Sequence, residues 1–450
     1  MSKDKSNKIS KKMLLGWPTR TISIGAATTL ISYATYYATD ILGLSAAAVG
    51  MMFVVSKIFD GFTDFVAGTI IDKTHSKLGK ARPYELALIG MWLFVVLYFC
   101  APQTSKTAAL IYLFVMYTIA FSVFSTFLNC NDSVYLANAL KDKSQSTTIT
   151  AVSGLVSTAF ALVINMILPQ LVKTVGTTRE GWRKISIILG IVYTLVGLIR
   201  FFTIKEIKQD GAEAAQKLSV KDLVVLLFKN KYILMIAAVT FIGNILTSIG
   251  VGTYYNKYII GNIGVGSLLS LAMLSTIIAV AVVPALAKKF TLRRTLQLMM
   301  LIGLAGYLIR LIDVHSVLLL FISSFFGMLA ATMPLAFVAP LAIDCMDYGE
   351  WKNGKRSEGM LSCATSITTK IGGALGVGMT GVLMNLAGYN GTLSVQSSGA
   401  ENMIIALSSY IPAILAAVII IIFQFYNLDD KIVKIRAELA QRHGKENASA

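Results

Sequence analysis

The sequence contains few of the residues from which catalytic and metal centres are usually built. Its 450 residues include only 4 cysteines and 3 histidines. The cysteines show no CxxC spacing, the histidines fall in predicted loops or tails, and no nucleophile motif or phosphate-binding glycine loop is present. We therefore expect free buried thiols, no bound cofactor and no enzyme activity, a membrane-embedded enzyme being the least favoured class.

Charged residues are also scarce, which excludes an ordinary soluble domain. Only 14% of the residues are charged, 55% are hydrophobic and the mean hydropathy is +0.69, whereas about a quarter of the residues are charged in soluble proteins. Runs of about 20 apolar residues, each long enough to cross a bilayer as a helix, recur along the chain. We count 12 of them, which predicts an all-α membrane protein with 12 transmembrane helices.

The least hydrophobic internal segment, "KEIKQDGAEAAQKLSVKDL", divides these runs six and six. We predict an N-terminal six-helix bundle at residues 1–204, a cytoplasmic linker at 205–231, a C-terminal six-helix bundle at 232–427 and a cytoplasmic tail at 428–450. Two six-helix bundles around a central site are the architecture of the major facilitator fold.

Basic residues concentrate in alternate loops and in both terminal tails, for example in "DKTHSKLGKARP" and "KKFTLRR". By the positive-inside rule these loops and both termini face the cytoplasm, although "TTREGWRK" departs from the rule. The net charge of +17 follows from these loops and needs no nucleic-acid partner. We expect a multi-pass plasma-membrane protein that contacts lipid and functions as a monomer.

The stretch "SKIFDGFTDF" places Lys57, Asp60 and Asp64 inside the second apolar run. At about 100° per residue these three side chains share one face of a helix. Ionisable groups at membrane depth are costly and usually face a partner or an aqueous cavity. Two carboxylates one turn apart suit Na⁺ or H⁺, while an ion pair of Lys57 with either acid is the structural alternative.

Other polar residues in the apolar runs are candidates for contact with a substrate. Lys370 ends the hydroxyl-rich stretch "LSCATSITTK", which includes Ser366, and it either lines the transport path or forms an interhelical ion pair. Asn129 lies in the polar row "STFLNCNDSVY". Arg20, near the cytoplasmic end of the first run, either contacts substrate or extends to the membrane surface.

Two longer stretches resemble one transporter family. "KIFDGFTDFVAGTIIDKTHSKLGKARPY" and "DYGEWKNGKRSEGMLSCATSITTKIGGALG" are similar to the glycoside-pentoside-hexuronide:cation symporters of the major facilitator superfamily. The resemblance implies cation-coupled symport of a small sugar or glycoside, driven by Na⁺ or H⁺ and with Li⁺ as an alternative cation. The cation site that it implies consists of Asp60, Thr63, Asp64 and Thr126. It also implies that Asn129 and Lys370 contact the sugar.

The chain departs from the family pattern at two sugar-binding positions. The acid of the first span has no counterpart within "TRTISIGA", and an arginine expected after the fourth span is replaced within "TTITAVSGL". The sugar is therefore expected to bind in a different pose, and Arg20 would suit an anionic sugar such as a hexuronide.

We therefore predict a secondary active transporter that works by alternating access between the two bundles. Charged residues of the cytoplasmic loops would form its gate, with topogenic charge as the alternative role. These residues are Asp72, Arg82, Asp347, Glu350, Lys352 and Arg356. The alternative function is export, or transport of a lipid or another small molecule, by the same fold.

Overall fold

The computed structural model describes residues 9–74, 76–140, 145–207, 230–353 and 358–449. Within these ranges the side chains of residues 65, 72, 147, 353, 358–364 and 443–449 are not described. All regular structure in the described ranges is helical, which confirms the predicted all-α class. In the same part of the chain, 11 spans are long and apolar enough to cross a membrane.

The described part of the N-terminal half contains nine α-helices. They are α1 (Lys11–Gly16), α2 (Pro18–Ile31), α3 (Ala34–Tyr36), α4 (Ala46–Lys73), α5 (Ala87–Phe99), α6 (Lys106–Thr118), α7 (Thr126–Ala139), α8 (Gln145–Thr174) and α9 (Arg179–Thr203). Shorter elements extend three of them: π-helical turns at Tyr37–Ile41 and Ile119–Ser125, and a 3-10 helix at Arg82–Leu86.

The described C-terminal half continues with α10 (Lys231–Ser248), α11 (Gly252–Tyr254), α12 (Val265–Leu269), α13 (Met273–Lys289), α14 (Leu292–Ile309), α15 (Val317–Ala336), α16 (Val338–Asn353), α17 (Glu358–Leu386), α18 (Ser398–Ser408), α19 (Tyr410–Gln424) and α20 (Asp429–Ser449). A π-helical turn at Tyr255–Ile259 follows α11, and a 3-10 turn at Ser270–Ala272 joins α12 to α13.

The first predicted span is not among the 11 membrane-length spans found in the described chain. It is divided into α1, α2, α3 and the π-helical turn, and its longest piece has 14 residues. Pro18 begins α2, because proline lacks an amide proton and is tolerated in the first turn of a helix. With this divided span, the 11 membrane-length spans account for the 12 predicted runs, and several of them, such as Lys231–Ile259, also combine more than one helical element.

The chain forms two compact units. Unit 1 comprises the N-terminal helices together with the segments Gly261–Ser270 and Met384–Ser397, and unit 2 contains the rest of the C-terminal half. Within unit 1, the hydroxyl of Tyr389 donates to Oδ2 of Asp40 at 2.5 Å. A Cβ atom on Gly391 would lie 2.4 Å from the carbonyl oxygen of Thr39, so only glycine fits there. The segment Met384–Ser397 therefore packs closely on the end of the first span.

Each unit has its own core. In unit 1 the rings of Phe99 and Trp182 stack with centroids 5.2 Å apart, and the ring of Tyr37 lies 5.7 Å from Trp182. In unit 2, α14 packs closely against α15, because a Cβ atom on Gly303 would lie 2.6 Å from the amide nitrogen of Ala330. Close approach at small residues is typical of helix packing in membranes.

The ends of the first and seventh spans have similar sequences, which form an internal repeat. "TYYATDILG" and "TYYNKYIIG" begin at residues 35 and 253, and each forms a π-helical turn followed by a glycine with positive φ. These glycines have φ of 70° at Gly43 and 77° at Gly261. The hydroxyl of Tyr37 donates to the carbonyl of Phe99 at 3.1 Å, and that of Tyr255 to the carbonyl of Val314 at 2.7 Å. The two halves therefore share a duplicated element that the hydropathy pattern did not reveal.

We predict that Tyr37→Phe and Tyr255→Phe each lower the thermal unfolding temperature of the purified protein. Each removes one buried hydrogen bond and leaves a carbonyl without its donor, at a cost of about 1 kcal/mol. Tyr410→Phe is the control, because Tyr410 is exposed. The effect is measured by thermal unfolding in detergent. If both variants unfold at the same temperature as the control, the two hydrogen bonds do not contribute to stability.

Candidate functional site

The acidic stripe predicted from spacing forms on α4. Asp60 is buried, with 7% of its surface exposed, whereas Thr63 and Asp64 are half-buried. Nζ of Lys57 donates to Oδ2 of Asp60 at 2.7 Å. The lysine and the buried acid of the stripe are thus paired, and Asp64 adds a second carboxylate one turn further along the same helix.

The two predicted threonine ligands direct their hydroxyl protons to the backbone. Oγ1 of Thr63 donates to the carbonyl of Phe59 at 3.0 Å. Oγ1 of Thr126, which is buried, donates to the carbonyl of Phe121 at 3.4 Å. A hydroxyl has one proton and two lone pairs, so each threonine oxygen keeps lone pairs for a cation. Oxygen lone pairs are the ligands that hard cations take.

Contacts between the second and fourth spans bring these residues to the same level. Oγ of Ser56 accepts a hydrogen bond from Thr118 at 3.0 Å, and the carbonyl of Ser56 accepts one from Ser122 at 3.2 Å. Successive membrane spans alternate in direction, so these two spans run the same way. Asp60, four residues after Ser56, therefore lies level with Thr126, four residues after Ser122.

The buried hydroxyls beside this stripe were missed by sequence reasoning. Ser56 and Ser122 are fully buried, at 0% exposure. Their signal in the sequence is a step of four residues: Ser56 precedes Asp60 by four, and Ser122 precedes Thr126 by four. Hydroxyl groups are common in apolar helices, so this spacing becomes informative only once the two helices are known to touch.

Arg20 lies inside unit 1, with only 3% of its side chain exposed. Its Nη1 donates to Oε1 of Glu85 at 3.2 Å and to the carbonyl of Leu128 at 2.6 Å. Its Nη2 pairs with Asp132. This geometry favours an internal ion pair over both roles that the sequence suggested for Arg20, contact with substrate and extension to the membrane surface.

A second arginine completes this buried charge cluster. The side chain of Arg200 is fully buried, and it pairs with Oε2 of Glu85 at 3.4 Å and with Oδ1 of Asp132 at 2.9 Å. Its guanidinium carbon lies 3.3 Å from the ring centroid of Trp17. Two arginines and two acids balance, so the cluster compensates its own charge. Glu85 and Arg200 were not selected from the sequence, because nothing local connects residues on different spans.

The predicted substrate residues fall in both units. In unit 1, Asn129 is exposed and its Nδ2 donates to Oγ of Ser125 at 3.4 Å. In unit 2, Ser366 and Lys370 lie one turn apart on α17, the first exposed and the second half-buried. Next to them, Nδ2 of Asn244 donates to Oγ1 of Thr369 at 3.3 Å. The amide group of this set thus lies on α7, and the hydroxyl and ammonium groups lie on α17.

Two predicted gate residues have partners within their own units. Nε of Arg82 donates to the carbonyl of Phe201 at 3.1 Å. In unit 2, Arg436 on α20 donates from Nε to Oδ2 of Asp347 at 2.7 Å and from Nη2 to Oδ1 of Asp344 at 2.8 Å. The hydrogen bond to Asp347 raises the pKa of Arg436 above its usual value, so the guanidinium stays charged. The tail helix is thereby fastened to the end of α16.

Two more of the predicted gate residues lie at the C-terminal end of α16. Glu350 is half-buried there, and Nζ of Lys352 lies 5.7 Å from the ring centroid of Tyr348. The side chain of Asp72 and the whole of Arg356 lie outside the described residues.

A comparison with known proteins identifies the family. The sequence profile of the family described as MFS/sugar transport protein matches residues 21–430. The chain belongs to this family. It is therefore a multi-pass membrane protein of the major facilitator type, as the sequence predicted, and the resemblance to cation symporters of sugars is confirmed at the family level.

Individual relatives of this transporter agree. It is 28% identical to the isoprimeverose transporter of Lactiplantibacillus pentosus, over 93% of this chain and 89% of that protein. It is 26% identical to the inner membrane symporter YicJ of Escherichia coli, over 91% and 90%. The crystal structure of a D-xylose-proton symporter superimposes with a TM-score of 0.66 at 13% identity, covering 94% of this chain and 98% of that one. At that identity the superposition establishes the fold.

We predict that Arg20→Met lowers the thermal unfolding temperature of the transporter while leaving substrate affinity within about twofold. Breaking a buried ion pair on one side costs about 3–5 kcal/mol, because the charge of Glu85 remains buried. The double variant Arg20→Met/Glu85→Met removes one charge of each sign and should recover part of the loss. Arg183→Met, at an exposed arginine, is the control. Unchanged stability with weakened substrate binding would return Arg20 to the substrate site.

Proposed function

We propose that this transporter couples the movement of a sugar or glycoside to that of Na⁺ or H⁺ by symport. The observation that carries the proposal is the pair of carboxylates one turn apart on α4. Asp60 is buried and Asp64 is half-buried on the same helix, with Lys57 donating to Asp60. Two carboxylates at membrane depth supply the oxygen ligands that a cation takes, and a bound cation reduces the cost of burying them.

The threonine oxygens supply the remaining ligands of the proposed cation site. Because Thr63 and Thr126 donate their protons to backbone carbonyls, their lone pairs remain available to a cation. Na⁺ would take two carboxylates and two hydroxyls as oxygen ligands, and Li⁺ the same set. H⁺ would instead be shared by the coupled carboxyl groups.

The ammonium group of Lys57 is a positive charge tethered at the proposed cation site. Its ammonium bonds to Asp60, which is the group that the coupling cation would bind. In our proposal the ammonium stabilises Asp60 before the cation arrives and is displaced when it binds. The cation then competes with a tethered charge, so the ion pair lowers the apparent cation affinity without occupying the site permanently.

Sugar binding in this proposal uses the hydroxyl, amide and ammonium groups of Asn129, Ser366 and Lys370. Arg20 leaves the set, because its guanidinium is held by two acids and a carbonyl. Binding of the cation and of the sugar is coupled by thermodynamic linkage, so each increases the affinity for the other by the same factor. The names of the relatives, an isoprimeverose transporter and a symporter, support a glycoside or pentoside as substrate.

The remaining parts of the proposal concern arrangement in the membrane. Residues 1–204 and 232–427 would form the two bundles that rock around the site, with 205–231 as a cytoplasmic linker. The basic loops and tails support cytoplasmic termini, and we propose the plasma membrane as the location. We also propose that the protein acts as a monomer and has no enzyme activity.

Uptake into proteoliposomes tests the proposal directly. Labelled glycosides, pentosides and hexuronates are offered while the Na⁺ gradient and the pH gradient are imposed separately. We expect one substrate class to accumulate under one of the two gradients. Saturable uptake that neither gradient drives would rule out symport.

We predict that Asp60→Asn and Asp64→Asn each abolish accumulation against a gradient, because either change replaces a carboxylate that would bind the cation with a neutral amide. Counterflow of labelled sugar, which needs no net cation movement, should survive in part. Asp430→Asn, at an exposed acid of the tail helix, is the control. Full accumulation by both site variants would contradict the assignment of the stripe as the cation site.

We predict that Lys57→Gln lowers the cation concentration for half-maximal uptake by about fivefold, since the tethered competitor is gone and each tenfold change corresponds to about 1.4 kcal/mol. Lys57→Arg keeps the charge and should resemble the wild type. The measurement is initial uptake against cation concentration. If Lys57→Gln instead makes uptake less dependent on the cation and lowers the unfolding temperature, the ion pair serves to stabilise the fold.

A further inference from the structure

Three hydroxyl side chains form a hydrogen-bonded chain one turn before the acidic stripe. They are Ser56 on α4, Thr118 at the end of α6 and Ser122 in the π-helical turn. We infer that this hydroxyl chain positions Asp60 against Thr126 and thereby determines which cation the site accepts. The inference rests on the proposed symport function and names residues that are not themselves cation ligands.

The hydroxyl chain uses every proton that it has. Oγ1 of Thr118 donates to Oγ of Ser56 at 3.0 Å, and the Oγ atoms of Ser56 and Ser122 lie 3.4 Å apart. Oγ of Ser122 donates to the carbonyl of Ser56 at 3.2 Å. If Ser56 donates to Ser122, each hydroxyl gives one hydrogen bond and none is wasted. Both serines are fully buried, so a lost bond would not be replaced by water.

The hydroxyl chain reaches the backbone that carries Asp60. In an α-helix the carbonyl of residue i accepts the amide proton of residue i+4, so the carbonyl of Ser56 takes the amide of Asp60. That same carbonyl accepts the hydroxyl of Ser122. A carbonyl oxygen has two lone pairs and can serve both donors. Ser122 therefore ties the turn that presents Asp60 to the fourth span.

The other end of the contact fixes the start of α7. Ser122 lies in the middle of the π-helical turn Ile119–Ser125, and Thr126 is the next residue after that turn. One additional residue per turn rotates the following helix by about 100°, so the turn decides where Thr126 points. The hydrogen bond from Ser122 to α4 therefore fixes the rotation of α7. Thr126 stabilises the same turn by donating to the carbonyl of Phe121.

Cation selectivity depends on such geometry to different degrees. A metal cation needs several oxygen atoms at a common distance, and tenths of an ångström separate the preferences of different ions. A proton needs only one carboxyl group of suitable pKa. Loosening the hydroxyl chain should therefore weaken Na⁺ and Li⁺ more than H⁺, while the sugar contacts, which lie on other turns and on unit 2, are affected least.

The variants Ser56→Ala and Ser122→Ala remove one hydroxyl each with almost no change in volume. Ser56→Thr restores the hydroxyl and is the rescue variant. Ser186→Ala is the matched control, because Ser186 is a fully buried serine outside the hydroxyl chain, and its hydroxyl donates to the carbonyl of Arg183 at 3.0 Å.

Sugar uptake by each full-length variant in proteoliposomes is measured against Na⁺ and Li⁺ concentration, against pH without either ion, and against sugar concentration at saturating cation. We expect both alanine variants to raise the half-saturating Na⁺ concentration by about fivefold, as for one lost hydrogen bond, and to change the Na⁺ to Li⁺ ratio. The pH dependence and the sugar KM should stay within about twofold, and Ser56→Thr should resemble the wild type.

Two results would overturn the inference. Alanine variants with the cation profile of Ser186→Ala would show that the hydroxyl chain does not position the site. Equal losses of cation affinity, sugar affinity and thermal stability would show a general loosening of the fold. Wild-type transport that responds to no cation would instead overturn the proposed function, and this inference with it, so the two failures are distinguishable.

Discussion

A polar group in the hydrocarbon interior of a membrane costs several kcal/mol unless it finds a partner, and this constraint organises the transporter. The backbone meets it by forming helices along almost the whole described chain. Side chains meet it by pairing between helices, as Arg200 does with Glu85 and as Ser122 does with the backbone of Ser56. Each such pair also fixes the register of two spans, because the partner can be reached from only one turn.

The same constraint separates structural charges from functional ones. The cluster of Arg20, Arg200, Glu85 and Asp132 is neutral as a whole and joins the first, third, fourth and sixth spans. The stripe on α4 instead places two carboxylates one turn apart on a single helix, with Lys57 paired to the first of them. A neutral cluster shared by four spans holds helices together, whereas two neighbouring carboxylates on one helix offer oxygen ligands to a mobile cation. Both contain arginine or lysine beside acids, so composition alone does not distinguish them.

Hydropathy and helical periodicity predicted most of the fold. Eleven of the runs correspond to membrane-length spans in the described chain, and the acidic stripe lies where its spacing of three and four residues placed it. The interruptions were not predictable, because π-helical turns such as Tyr37–Ile41 carry no strong sequence signal. The similarity of "TYYATDILG" and "TYYNKYIIG" is visible in the sequence but weak, since the identical positions are separated by unlike residues.

The site was predictable in its ligands and not in its surroundings. Asp60, Thr63 and Asp64 share one helix, so local geometry and the family resemblance were enough to group them. The partners of Arg20 and Ser56 lie 112 and 66 residues away, at Asp132 and Ser122. The sequence by itself determined the spans and the polar face of α4, because both follow from short-range periodicity. Only tertiary structure decided which charges are balanced and which hydroxyls meet, because that depends on which spans touch.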